Sequence, residues 1–270
     1  AAERSYRSAL ELDARNVDAH YLLGALLGES GSLEAAALHL DEALAGKPDF
    51  AAAHAARGNV FLLHEERQAA RRSYEQALRF DPASAVAHFN LGLILQADSA
   101  REPALQHFER AYALAPDIPD LLKNLALSLL EFERYADAQA LLQRALAQSS
   151  QHPDALKCLG LVLQKLHRPH EALQYYESAR AVDGTDPELL NNLGIVLQDL
   201  GRLDEAIASY DAAIARKPDF TLAIWHRSLA YLLRHDFARA WPDYELRLMS
   251  ADWPRRAVEF PRWIGGTLAG

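Results

Sequence analysis

A period of 34 residues runs through almost the whole chain and constrains its fold more than any other feature. Small residues recur at this spacing, at Gly24, Gly58, Gly92, Ala126, Gly160, Gly194 and Ser228. A second series consists of alanine throughout, at Ala36, Ala70, Ala104, Ala138, Ala172, Ala206 and Ala240. A third series is large and mostly aromatic: Leu40, Tyr74, Phe108, Leu142, Tyr176, Tyr210 and Tyr244. Parallel series with one period indicate a chain built from repeated supersecondary units.

Residues 85–118 show how one repeat is expected to fold. Its first half places four residues on one face of a helix, namely His88, Leu91, Gly92 and Leu95. Its second half forms a matching face from Ala104, Phe108 and Ala111. The small residues allow two helices to approach closely, and a proline such as Pro116 ends the repeat. Each helical hairpin can bury its apolar face only by stacking against its neighbours.

This pattern resembles the tetratricopeptide repeat family on the residues His88, Leu91, Gly92, Leu95, Ala104, Phe108, Ala111 and Pro116. The resemblance implies an all-α fold, a right-handed superhelical solenoid of antiparallel helix hairpins. It further implies a scaffold that binds a peptide or protein segment in its concave groove. Because the repeat is a scaffold, it specifies no chemistry by itself.

The period divides the chain into a partial repeat, seven full repeats and a tail. Residues 1–16 match the second helix of a truncated repeat, so we expect a piece of a longer array. The full repeats are predicted at 17–50, 51–84, 85–118, 119–152, 153–186, 187–220 and 221–250. Residues 251–270 contain prolines and glycines, and we expect an extended linker toward a missing C-terminal domain.

Composition narrows the classes of partner. The net charge of −9 argues against nucleic acid and against an anionic membrane surface. No apolar run is long enough to span a bilayer, and Cys158 is the single cysteine, which suits a reducing cytoplasm. We therefore expect a cytoplasmic protein whose partner is a protein or an extended peptide.

Polar side chains recur on the face of each first helix that lies opposite the apolar face. Counting from the first residue of each repeat, position 6 carries Asn90, Asn124 and Asn192, although Cys158 interrupts the series. Asparagine offers both a donor and an acceptor to a peptide backbone. The predicted groove consists of Asn90, Asn124, Asn191, Asn192, Lys123, Lys157, Gln96, Gln164 and Gln198. The open alternative is a solvated polar groove without a ligand.

Other kinds of site receive less support from the sequence. A lysine–asparagine clamp for a C-terminal carboxylate would need lysine at position 5 and asparagine at position 9 of one repeat, and Asn59 is accompanied by Ala55. His20, His54 and His88 share position 4, but successive repeats would hold them about 10 Å apart, too far for one metal ion. We expect neither a metal, nor a cofactor, nor a catalytic site in these residues.

A second resemblance involves the C-terminal end. Residues 237–247 and 260–270 look similar to the junction that leads from tetratricopeptide repeats into a bacterial glycosyltransferase-like domain, and the repeats resemble those of O-linked N-acetylglucosamine transferase. This resemblance implies an alternative function, the substrate-selecting arm of an enzyme whose catalytic domain lies elsewhere. The alternative is that the aromatic residues of this end cap the solenoid core. A further alternative is self-association, a homo-oligomer formed through the terminal repeats.

Overall fold

The computed structural model describes residues 2–118 and 120–246, and these residues contain fifteen α-helices and no strand. They form two compact parts, which divide between Leu142 and Gln143. The predicted linker at 251–270 lies outside the described residues. The predicted class, an all-α fold of antiparallel helix hairpins, is confirmed.

The helices of the N-terminal part are α1 (Ala2–Leu12), α2 (Val17–Glu29), α3 (Leu33–Gly46), α4 (Ala51–Leu63), α5 (Arg67–Phe80), α6 (Ala85–Ala97), α7 (Arg101–Leu114) and α8 (Leu121–Glu131). Helix α9 (Tyr135–Gln148) contains the boundary between the two parts. The C-terminal part continues with α10 (Pro153–Lys165), α11 (Pro169–Val182), α12 (Pro187–Asp199), α13 (Leu203–Arg216), α14 (Thr221–Leu233) and α15 (Phe237–Leu246). First helices pack against the second helices of their own repeats in the pairs α2–α3, α4–α5, α6–α7, α10–α11, α12–α13 and α14–α15. Successive first helices also pack against each other in the pairs α2–α4, α10–α12 and α12–α14.

Close helix crossings explain the periodic small residues. A Cβ atom added to Gly92 would lie 2.6 Å from a ring atom of Phe108, and one added to Gly58 would lie 2.7 Å from the ring of Tyr74. Both large side chains are fully buried, with 0% exposure. The aromatic ring therefore fills the space that the absent Cβ leaves, as the sequence pattern predicts.

The turn inside each repeat has a residue in the left-handed backbone conformation at the same position. These residues are Gly31, Glu65, Ser99, Glu133, His167, Gly201 and His235, all with positive φ. The N–H of the following residue donates to the carbonyl five residues earlier, for example Glu66 to Phe61 at 2.8 Å. This bond closes a Schellman motif, which satisfies the last carbonyl groups of the first helix and sends the chain back along it.

Candidate functional site

One predicted groove residue of the N-terminal part, Asn90, belongs to a connected set of hydrogen bonds. The Asn90 side-chain nitrogen donates to Oδ1 of Asn59 at 3.0 Å, and the Tyr74 hydroxyl donates to the same oxygen at 2.7 Å. Burial raises the pKa of Tyr74, so its hydroxyl keeps its proton and remains a donor. The two amides are thereby oriented, and Asn90 retains its carbonyl oxygen and Asn59 its amide nitrogen for other partners.

Two further predicted residues lie at the start of α8. The Asn124 side-chain nitrogen donates to the backbone carbonyl of Asp120 at 2.9 Å. The Lys123 ammonium lies 3.6 Å from the Asp120 carboxylate and its side chain is 37% exposed, so it faces solvent. Gln96, near the end of α6, is half-buried. The structure therefore places Asn90, Asn124, Lys123 and Gln96 where solvent reaches them, but it ties Asn124 to its own helix terminus.

In the C-terminal part, buried tyrosines hold the predicted glutamines. The Tyr176 hydroxyl donates to Oε1 of Gln164 at 2.6 Å, and the Tyr210 hydroxyl donates to Oε1 of Gln198 at 3.3 Å. Burial raises the pKa of Asp199, and a hydrogen bond from Gln164 opposes that rise. Gln164 thus connects a tyrosine of its own repeat with a carboxyl group of the next one.

Lys157 is engaged by acidic residues of the following repeat. Its ammonium lies 2.7 Å from the Asp186 carboxylate and 3.6 Å from that of Glu188, and its side chain is only 18% exposed. Burial lowers the pKa of Lys157, but the hydrogen bond and charge of Asp186 outweigh that effect and raise it overall. Any ligand carboxylate would therefore compete with Asp186 for this lysine.

Asn191 differs from the sequence-based prediction. It is 5% exposed, and its Oδ1 lies 2.8 Å from Nδ1 of His226, a residue of the next repeat. The side chain is therefore enclosed between neighbouring first helices and is not presented to a groove. Its neighbour Asn192 is half-buried, and Cys158, which interrupts the asparagine series, is buried at 2% exposure.

The histidines at position 4 are buried or half-buried, as the sequence predicts, but each of two has a histidine neighbour that sequence reasoning missed. Nδ1 of His20 lies 3.0 Å from Nδ1 of His39, and Nδ1 of His88 lies 2.8 Å from Nδ1 of His107. The common separation of 19 residues is the signal that could have revealed these pairs. No cluster of three metal-ligating side chains occurs among the described residues.

Comparisons with known proteins identify the family of this helical fold. A sequence profile of the tetratricopeptide repeat matches residues 1–51, 55–119, 123–187, 159–219 and 191–254. No curated protein matches the chain in sequence. Within the described part of the chain, no helix is both long and apolar enough to cross a membrane.

Several solved structures share the fold. The crystal structure of YrrB, a TPR protein with an unusual peptide-binding site, is 23% identical, with a TM-score of 0.57 over 68% of this chain and 95% of that one. A Pseudomonas aeruginosa pilF structure is 23% identical, with a TM-score of 0.61 over 75% of this chain and 92% of that one. The APC/C hetero-tetramer Cut9–Hcn1 is 20% identical, with a TM-score of 0.68 over 92% of this chain and 49% of that one. At these identities the likeness establishes the fold alone.

Proposed function

The chain belongs to the tetratricopeptide repeat family, and from that premise we propose that it binds an extended peptide or protein segment. The contacts would come from polar residues on the first helices of its repeats. The observation that carries the proposal is the oriented pair Asn90 and Asn59, fixed by the buried hydroxyl of Tyr74. Amides held in one orientation bind a backbone without first losing side-chain freedom.

The proposed contact residues are those that the described surface leaves accessible. In the N-terminal part they are Asn90, Gln96, Lys123 and Asn124. In the C-terminal part they are Gln164, Asn192 and Gln198, with Lys157 contributing only if a ligand displaces Asp186. Asn191 is left out because it is buried against His226. The peptide-binding site of the structurally similar YrrB is consistent with this class of function.

Replacement of Asn90, Asn124 and Asn192 together by alanine tests the proposal. The probe is a phage-displayed library of extended peptides, selected on the unaltered chain, with affinity measured by fluorescence polarisation. Each lost hydrogen bond is worth about 1 kcal/mol. Selected peptides that contact Asn90 and Asn124 of the N-terminal part should therefore bind the triple variant about 30-fold more weakly, and peptides that contact Asn192 of the C-terminal part about 5-fold more weakly.

Two amides on second helices provide the matched control. Gln106 on α7 and Gln174 on α11 are exposed, and their replacement by alanine should leave affinity unchanged. Circular dichroism should show equal helicity for both variants. Equal affinity in the triple variant, or an equal loss in the control, would contradict the assignment of these residues.

Two other hypotheses concern the whole protein rather than this surface. The resemblance to a glycosyltransferase junction involves residues 237–247 and 260–270, most of which lie outside the described residues. None of the three solved structures above is described as a glycosyltransferase. The reading frame beyond Gly270 tests that hypothesis, and light scattering tests self-association. We also propose a cytoplasmic location, and its only support is the composition.

A further inference from the structure

Two histidine pairs join the helices of two hairpins in the N-terminal part. His20 on α2 meets His39 on α3, and His88 on α6 meets His107 on α7. In both pairs the first histidine also contacts a backbone carbonyl through its other nitrogen. Nε2 of His20 lies 3.1 Å from the Ala14 oxygen, and Nε2 of His88 lies 3.2 Å from the Pro82 oxygen.

These contacts determine where the protons lie. A carbonyl oxygen only accepts hydrogen bonds, so Nε2 of His20 and of His88 must carry hydrogen. In the neutral ring, Nδ1 of the same residue is then an acceptor. His39 and His107 must therefore donate from their own Nδ1 atoms. Each pair is one fixed combination of tautomers.

Such a pair accepts one added proton but not two. A first proton can bind to Nε2 of His39 or of His107 without changing the hydrogen bond. A second proton would have to bind to Nδ1 of His20 or of His88, which would place two N–H groups face to face at about 3 Å. In the unfolded chain both histidines accept protons below a pH of about 6.5. Unfolding in acid therefore takes up protons that the folded pair excludes.

Charges around the first pair act in the same direction on balance. Burial lowers the pKa of His39, His20 and Arg7 of α1 lower it further, and Glu42 of α3 partly opposes them. On α4, which packs on α3, the charged side chain Arg57 is paired with Asp41 of α3 at 2.9 Å.

The surroundings of the second pair are similar. Burial lowers the pKa of His88, and the charge of Arg110 of α7 adds to this effect. The hydrogen bond to the Pro82 carbonyl and the charge of Asp81 oppose it. Burial lowers the pKa of His107, and His88 lowers it further. The charge of Glu75 of α5 opposes both effects. On α8, which packs on α7, the charged side chains Lys123 and Glu131 are paired with Asp120 and Arg101 respectively.

The repeat between the two pairs provides an internal comparison. His54 keeps the carbonyl contact, with Nε2 2.9 Å from the Pro48 oxygen, but Ser73 stands where His39 and His107 stand in their repeats. Nδ1 of His54 is buried and has no hydrogen-bond partner. Repeats 153–186 and 187–220 carry Leu156 and Leu190 at position 4, where the two pairs have His20 and His88. The paired arrangement is therefore specific to two hairpins.

We propose that the two histidine pairs are acid-sensitive contacts, which hold α2 to α3 and α6 to α7 while each pair carries at most one proton. Acidification then weakens these two hairpins and leaves α10–α11 and α12–α13 unchanged. The sign follows from linkage. A folded-state pKa below the unfolded value means that the unfolded chain binds more protons, so stability falls as pH falls below about 6.5.

Imidazole ¹⁵N spectroscopy of the intact chain tests the geometry. At pH 8, His20 and His88 should carry hydrogen on Nε2, and His39 and His107 on Nδ1. His107→Gln should raise the pKa of His88 by about half a unit or more, because the N–H group and the charge that exclude the second proton are then absent. His170→Gln, which replaces an exposed residue of α11, is the matched control and should leave the pKa of His88 unchanged. A pKa of His88 that His107→Gln does not change would overturn the proposal.

Urea unfolding between pH 8 and pH 5 tests the consequence for stability. The unaltered chain should take up about one additional proton per pair on unfolding, read from the slope of stability against pH. The double variant His39→Gln, His107→Gln should take up fewer, and an unchanged slope would refute the proposal. If the glutamine variants fail to fold, the tautomers of the unaltered chain decide, because any other combination of tautomers excludes the pairing.

Discussion

The helix crossing at Gly92 gives the most quantitative prediction about the fold. A Cβ atom at this position would lie 2.6, 2.8 and 3.2 Å from three ring atoms of Phe108. Carbon atoms in contact are normally 3.5–4.0 Å apart, so the closest approach is about 1 Å too short. Phe108 is fully buried at 0% exposure, and its ring cannot turn into solvent.

The expected cost of Gly92→Ala combines two opposing effects. Forcing extra volume into a packed core costs about 1–3 kcal/mol, and the approach to several ring atoms places this site in the upper half of that range. Alanine is better than glycine in a helix interior by about 1 kcal/mol. The free energy of unfolding should therefore fall by about 1–2 kcal/mol.

A double-mutant cycle isolates the steric effect. Phe108→Leu alone removes a buried ring and should itself destabilise the chain, but it also removes the ring atoms that the methyl group introduced by Gly92→Ala would meet. Repeat 119–152 already carries the combination, with Ala126 and Leu142 both at 0% exposure. The two substitutions should therefore cost about 1–2 kcal/mol less together than the sum of their separate costs.

The assay is urea unfolding followed by circular dichroism, combined with hydrogen exchange of the α6 and α7 amides, because repeat arrays do not always unfold in one step. Additivity within about 0.5 kcal/mol would refute the reasoning, since independent sites behave in that way. So would stabilisation by Gly92→Ala alone, because helix propensity would then be the dominant effect.

Three further predictions concern single contacts. Glu65→Gly should stabilise the chain by about 0.5–1 kcal/mol in urea unfolding, because Glu65 has φ 61° in a turn where glycine is unstrained; destabilisation would contradict this. Tyr176→Phe should cost about 1 kcal/mol by losing its bond to Gln164, and an unchanged unfolding midpoint would show that the bond adds nothing. Lys157→Met should cost about 1 kcal/mol at pH 7 by leaving Asp186 unpaired. This difference in the free energy of unfolding should disappear as pH rises past about 10.5, because stability from a raised lysine pKa is lost when the lysine deprotonates. A difference that stays constant with pH would exclude the ion pair as its cause.

The 34-residue period predicted a fold of helix hairpins because it reflects the packing of two helices inside one repeat. Helices begin at Val17, Ala51, Ala85, Pro153, Pro187 and Thr221, the first residues of six predicted repeats. The turn conformation was not predicted, because glycine marks it only at Gly31 and Gly201. At the other positions a polar residue or histidine adopts the same left-handed φ, imposed by the Schellman bond rather than by its own preference.

The candidate site was harder to predict, because its side chains are satisfied by residues of neighbouring repeats. Helical periodicity places Asn191 and Lys157 on a surface, but it cannot show that His226 and Asp186 reach them from the next repeat. The histidine pairs were missed for a related reason. Comparison of position 4 between repeats ignores the second helix, on which His39 lies.

The close crossings have a consequence for how such a chain can grow. Gly92 and Phe108 belong to one repeat, as do Gly160 and Tyr176, so duplication or loss of one whole repeat carries both partners together. Copy number can therefore change in a single genetic event without separating the partners of this crossing. The bond from Asn90 to Asn59 joins different repeats and must be rebuilt after each event. Selection for partner recognition can consequently diversify the polar surface of each copy, while the crossing inside each repeat is inherited unchanged.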